Sequence, residues 1–274
     1  MPINKLSRRS FFEKSLCFAA LPLAFSTISS FAAEDETIKE SLFKLFTGDP
    51  DLERLASLIK QKNPLIWVFT GDSITQGAKH THGYRSYPEI FGERIRYEMG
   101  RYRDIIINSG ISGNTTQDIL GDFDWRIRQF KPSVVSLMIG TNDCSKKDIS
   151  LQVFERNLDS IMTLIRELNA IPIFHTPNVI IKEKAPERKR LSEYVSVIQN
   201  LAGRKGVILI DNYTYWQNAI QSKGENFIFK EWLNDPLHPN GSGHSEIARL
   251  MFKTLGIFDP KAPTCGGLYY EGEH

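Results

Sequence analysis

Three kinds of chemical group in this chain could cooperate in one reaction. Ser73 lies in Gly71-Asp72-Ser73-Ile74-Thr75-Gln76-Gly77, directly behind the apolar run Leu65-Ile66-Trp67-Val68-Phe69. Asp235 and His238 stand three residues apart in Asn234-Asp235-Pro236-Leu237-His238-Pro239-Asn240-Gly241, where two prolines make a loop stiff enough to hold a carboxylate against an imidazole. A serine hydroxyl attacks poorly until a base takes its proton, and a histidine, largely neutral at pH 7, suits that task. His238 is therefore the candidate base. Asp235 would accept from the other ring nitrogen, fixing the tautomer and stabilising the imidazolium. Attack on an ester carbonyl creates an oxyanion that needs preorganised donors, each worth roughly 3 kcal/mol in comparable sites. The Ser73 N–H, a glycine N–H in the turn holding Gly110 and Gly113, and the Asn142 side-chain amide can supply them. That division of labour is a hydrolase.

These residues are far apart in sequence, so the fold must gather them. Five short apolar runs read as strands: Leu65 to Phe69, Ile105 to Ile107, Ser133 to Ile139, Ile171 to Phe174 and Val207 to Ile210. Amphipathic stretches alternate with them, the clearest being Leu151 to Asn169, with further helices expected from about Glu187 to Arg204, Tyr213 to Ser222 and Gly241 to Leu255. Strands joined through helices need crossover connections, hence a parallel sheet covered on both faces, a three-layer α/β/α domain. The turns after the first three strands then share one edge. Singly, Ser73 could cap a helix, Gly113 could supply positive φ, and Asn142 could cap a turn; jointly, those readings leave the convergence unexplained.

In order along the chain, Gly71-Asp72-Ser73, Ile111-Ser112-Gly113-Asn114, Gly140-Thr141-Asn142-Asp143 and Asp235-Pro236-Leu237-His238-Pro239 resemble the four blocks of the SGNH (GDSL) hydrolases. The resemblance runs from about Leu65 to Leu255. It implies a flavodoxin-like five-stranded sheet, ester hydrolysis without metal or other cofactor, and an acyl-enzyme on Ser73. It also favours Gly113 over Gly110 as the oxyanion donor. The α/β-hydrolase elbow Gly-x-Ser-x-Gly is absent, since Ile74-Thr75 follow Ser73.

The 274 residues are 41% apolar and 11% aromatic, enough for a sizeable core. The net charge of +2 owes much to Lys5, Arg8, Arg9 and Lys14, all in the first 33 residues, so nothing points to a nucleic-acid partner. Residues 1–33 read as a cleaved signal peptide, leaving 34–274 as one domain with N-terminal helices and an irregular tail. Ser7-Arg8-Arg9-Ser10-Phe11-Phe12 resembles a twin-arginine export signal, which implies that export machinery as a partner and a periplasmic or secreted product. The apolar stretch that follows is short and broken by Pro22, below the ~20 residues a membrane span requires, so no stable membrane anchor is expected.

His80, His82 and His244 invite a metal reading, but no carboxylate or cysteine group completes a ligand set in sequence, and the two loop histidines are expected to be solvated. Lys182 to Lys189 is expected to be a solvated charged face. Cys144 reads as a packed thiol, and whether it pairs with Cys265 is open. Tyr84 and Arg85 stand near the expected cleft mouth and are candidate substrate contacts. The resemblance, the export-like leader and the lack of a long apolar lid together suggest removal of a short acyl group, acetyl, from a carbohydrate. The alternative is a lysophospholipase or thioesterase acting on longer chains. A non-catalytic carbohydrate-binding protein of this fold would have lost Ser73, Asp235 or His238, and all three are present.

Overall fold

A computed structural model describes residues 50–77 and 79–269, all within the compact unit Gly48–His274. The expected signal peptide and the first of the expected N-terminal helices lie outside the described residues. Helix α1 (Pro50–Lys60) precedes strand β1 (Ile66–Gly71), the single turn α2 (Ser73–Gln76), and α3 (Tyr87–Glu93) with its π-helical extension Arg94–Glu98. Strand β2 (Ile105–Asn108), short helices α4 (Thr116–Gly121) and α5 (Phe123–Arg126), and strand β3 (Val134–Met138) follow. Then come α6 (Leu151–Glu167), β4 (Ile171–Thr176), α7 (Leu191–Lys205), β5 (Ile208–Asp211), α8 (Asn212–Lys223), α9 (Glu225–Trp232) and α10 (Gly241–Thr254).

All the strand pairings are parallel, in the order β2-β1-β3-β4-β5. Strands β3 and β4 are buried throughout, which is why they read as unbroken apolar runs, while edge strand β2 is partly exposed. Helices α4, α6 and α7 pack together on one side of the sheet and α3, α8, α9 and α10 on the other. The sequence order reverses beside β1, between β2 and β3, so the crevice at their carboxyl ends is the topological switch point where sheets of this kind bind ligands.

Two expectations are corrected. The helix expected from Glu187 starts at Leu191, because Pro186–Arg188 forms a separate 3₁₀ turn. Helix α9 was not expected at all; Gly224, at φ +88°, cuts it from α8, and eight residues carry too little periodicity to register.

The carboxyl edge of the sheet beside Ser73 is sutured from below by Arg126, whose side chain is fully buried. Its guanidinium donates to the carbonyl of Gly71 at 3.0 Å, to that of Ser109 at 2.8 Å, and to the Asn114 side chain. It thereby ties the ends of β1 and β2 to the turn holding Gly113. Asp72 caps α2 by accepting from the Ile74 N–H at 2.9 Å, while its other oxygen is buried without a hydrogen-bond partner. Burial raises the Asp72 carboxyl from 3.8 to about 7.

Arg126→Met should lower the unfolding free energy by about 3 kcal/mol, read from the urea midpoint, because it strands buried carbonyl oxygens. Asp72 keeps its proton in the folded chain over a range where the unfolded chain has lost it. Its contribution to stability is therefore present at low pH and is lost as pH rises from 3.8 through about 7. Asp72→Asn should flatten the fall in Tm across that window, measured by thermal melts at successive pH values.

Candidate active site

Ser73 opens α2 at the carboxyl end of β1, and its Oγ lies 2.8 Å from His238 Nε2. On the other side of the ring, His238 Nδ1 lies 2.8 Å from Asp235 Oδ2 and 3.0 Å from Oδ1. An ionised carboxylate only accepts, so the proton belongs on Nδ1 and Nε2 is left to accept from the serine hydroxyl. Burial pushes the Asp235 carboxyl up, but the N–H groups of Leu237 and His238, at 2.8 and 2.9 Å, and the His238 ring together hold it below its ordinary value. The loop is braced as its prolines suggest. Asn234 N–H donates to the His238 carbonyl, Leu233 bridges Pro239, and Ile181 N–H and Asn178 Nδ2 hold the carbonyls of Pro236 and Leu237.

Three donors face the question of an oxyanion. Ser73 occupies the first position of α2, where an N–H has no acceptor within its own helix. Gly113 adopts φ +82°, a conformation glycine takes without strain, and its N–H has no partner among the described residues. Gly110, the alternative, donates its N–H to Asn108 Oδ1 at 3.0 Å and is thus engaged. Asn142 gives one amide hydrogen to the Asn114 carbonyl at 3.0 Å and accepts from Arg188 at 3.2 Å, which fixes its orientation and leaves its second hydrogen for another acceptor.

Sequence reasoning missed two residues here. Arg188 belongs to the charge run expected to be solvated, yet it reaches inward to Asn142 Oδ1 and to the Thr141 carbonyl. Nothing in a run of lysines and arginines marks the one that turns in. His80, expected to be a solvated loop residue, instead lies 3.2 Å from Asp235 Oδ2, with its ring stacked on that of His238, centroids 3.5 Å apart and planes within 3°. A carboxylate does, then, meet a loop histidine: ligand atoms of His80, Asp235 and His238 lie within 4.8 Å of one another. The rings are parallel, however, so their in-plane lone pairs do not converge on one ion in this arrangement.

The candidate substrate contacts divide. Tyr84 is 72% exposed, seated on Gly241, and lines a cleft of about 560 Å³ with Thr81, His82, Asn234, Asn240, Ser242 and Ser245. Arg85 is engaged elsewhere, in an ion pair with Glu93 and a hydrogen bond to the Tyr269 hydroxyl. His244 is buried in α10, where it accepts from the Tyr87 N–H at 3.2 Å. Cys144 and Cys265 are buried and unpaired with each other, and burial pushes the Cys144 thiol up to about 12, which suppresses a thiolate nucleophile.

Comparison with known proteins places this geometry in context. The chain is 35% identical over 220 residues to an uncharacterized protein of Mycoplasma pneumoniae, a match covering 73% of this chain and 25% of that protein. The chain thus spans about a quarter of that relative's length. It is 26% identical over 208 residues to an acetylxylan esterase of Geobacillus stearothermophilus, covering 69% of this chain and 93% of the esterase. The crystal structure of that esterase aligns with a TM-score of 0.58 at 24% identity, over 70% of this chain and 94% of the other. An α/β hydrolase enzyme from the metagenome of Lake Arreo, Spain, aligns with a TM-score of 0.61 at 23% identity, over 72% and 98% of the two chains. Both share the fold. Residues 69–245 match the model of the GDSL-like lipase/acylhydrolase family, and the chain belongs to that family of carboxylic ester hydrolases.

Proposed function

We propose that the protein is an exported serine esterase that removes short acyl groups, acetyl above all, from carbohydrate through an acyl-enzyme. The observation that carries the hydrolytic reading is the unbroken line from Ser73 Oγ through the His238 ring to Asp235 Oδ2, with both hydrogen bonds at 2.8 Å. In the first half-reaction Ser73 Oγ bonds to the ester carbonyl carbon and its proton passes to His238 Nε2, while Asp235 steadies the imidazolium. The carbonyl oxygen, now an oxyanion, is met by the N–H groups of Ser73 and Gly113 and the Asn142 amide. Collapse breaks the bond to the alcohol oxygen, which leaves with the proton from His238. A water molecule, deprotonated by the same ring, then hydrolyses the acyl-serine and returns the proton to Ser73 Oγ.

The carbohydrate reading is supported by the cleft that reaches the Asp235 loop at Asn234. Apart from the Tyr84 ring and Leu233, its wall is mainly hydroxyl, amide and imidazole groups, a surface that can satisfy the hydroxyls of a sugar and offer one aromatic face. The acetyl reading draws support from the relation to an acetylxylan esterase. Export rests on Arg8-Arg9 and the apolar stretch behind them. No described helix is long and apolar enough to cross a membrane.

Ser73→Ala should abolish turnover of p-nitrophenyl acetate and covalent labelling by a fluorophosphonate without altering the thermal melt; labelling that survives would remove Ser73 as nucleophile. Asn142→Ala should lower kcat by roughly 10²-fold. Across esters from acetate to palmitate, kcat/KM should fall with chain length, and acetate should be released from acetylated xylan; preference for palmitate would favour a lysophospholipase or thioesterase. Changing Arg8 and Arg9 to lysine should retain the precursor inside the cell, as read by fractionation; unchanged export would defeat the twin-arginine reading.

A further inference from the structure

A third side chain makes contact with both members of the His238–Asp235 pair. His80 is held in the loop after α2 between Lys79 at φ +66° and His82 at φ +52°, left-handed conformations that non-glycine residues seldom adopt. A loop kept in so uncommon a shape delivers one ring to one place. That ring lies flat on His238, and its Nδ1 lies 3.2 Å from the same Asp235 oxygen that holds His238 Nδ1. The His80 side chain is 19% exposed and that of His238 16%, so the stack is only partly screened by water.

We propose that His80 is a positioning residue of this site: its ring keeps the His238 imidazole in line with Ser73, and its Nδ1 side shares, and so moderates, the charge that Asp235 presents to the base. The inference rests on the Ser73–His238–Asp235 reading. Two stacked rings cannot both be imidazolium without strong repulsion, so a neutral His80 is the form that lets His238 become an imidazolium during the reaction. The charged and titratable groups around His80 are Asp235, His238, neighbouring Lys79 and buried His244. Burial, and next the proximity of His238, lower the His80 pKa, which favours that neutral form.

The sign of the effect follows from the shared carboxylate. With the His80 nitrogen present, part of the Asp235 charge is spent outside the His238 ring. Without it, the whole charge bears on His238, the imidazolium gains, and more of the base is protonated at a given pH. The acid limb of activity should therefore move to higher pH.

The test is kcat and KM for p-nitrophenyl acetate between pH 5 and 9, measured on the wild type, Ser73→Ala, His80→Ala and His80→Phe, each checked for folding by its thermal melt. His80→Phe keeps a ring against His238 but removes the nitrogen. The expected result is a kcat about tenfold lower in His80→Ala with KM little changed, and an acid limb raised by about half a unit in both variants. His80→Phe should retain more of kcat than His80→Ala. Variants with wild-type kcat and limb would overturn the proposal, as would a change confined to KM, which would make His80 a substrate contact. If His80→Ala fails to fold, the limb of His80→Phe decides. Activity that survives in Ser73→Ala would instead defeat the underlying triad reading, so the two failures are distinguishable.

Discussion

The edge that presents Ser73 depends on how closely β1 and β3 run together at Gly71. There the backbone passes so near its neighbour that a methyl group on Gly71 would sit 2.1 Å from the Met138 carbonyl oxygen. At φ +154° the chain can then turn sharply out of the sheet and present Ser73 at the head of α2. Asn142 leaves the adjoining strand four residues after Met138, so the same close approach that frees the serine also sets its distance to a donor on the next turn. A bulkier residue at position 71 would push the two turns apart and with them the serine and the amide.

Polar groups buried beneath this edge are costly, and the structure offsets the cost unevenly. Arg126 satisfies the carbonyls of Gly71 and Ser109, while Asp143 accepts from both the N–H and the hydroxyl of Thr116. Yet one oxygen each of Asp72 and Asp143 is buried without a partner, and burial raises these carboxyls to about 7 and about 6. Stability has been conceded in the layer under Ser73, as is common where backbone and side chains are arranged for chemistry.

Much of this was legible before any coordinates. Apolar runs such as Val134 to Met138 announce buried parallel strands because both faces of the sheet are covered, and the alternation with amphipathic stretches such as Leu151 to Glu167 dictates crossovers and hence one shared edge. The Asp235-x-x-His238 spacing and its prolines foretold a local contact, and local contacts are what sequence encodes best. His80 and Arg188 were hidden for the opposite reason. Each acts across a long sequence separation, His80 toward Asp235 and Arg188 toward Asn142, and each comes from a polar loop whose composition is that of ordinary solvated surface. Arg85 illustrates the converse: it stands near the cleft in sequence, but Glu93 and Tyr269 claim its guanidinium.

Cys144 and Cys265, the cysteines of the described fold, bear on the proposed export. Cys144 packs under the turn after β3 and Cys265 in a C-terminal 3₁₀ turn, and neither is bonded to the other. The described fold therefore closes on side-chain packing and hydrogen bonds alone, with no covalent cross-link waiting on an oxidant. A fold closed in this way is compatible with the proposed twin-arginine route, which moves proteins already folded.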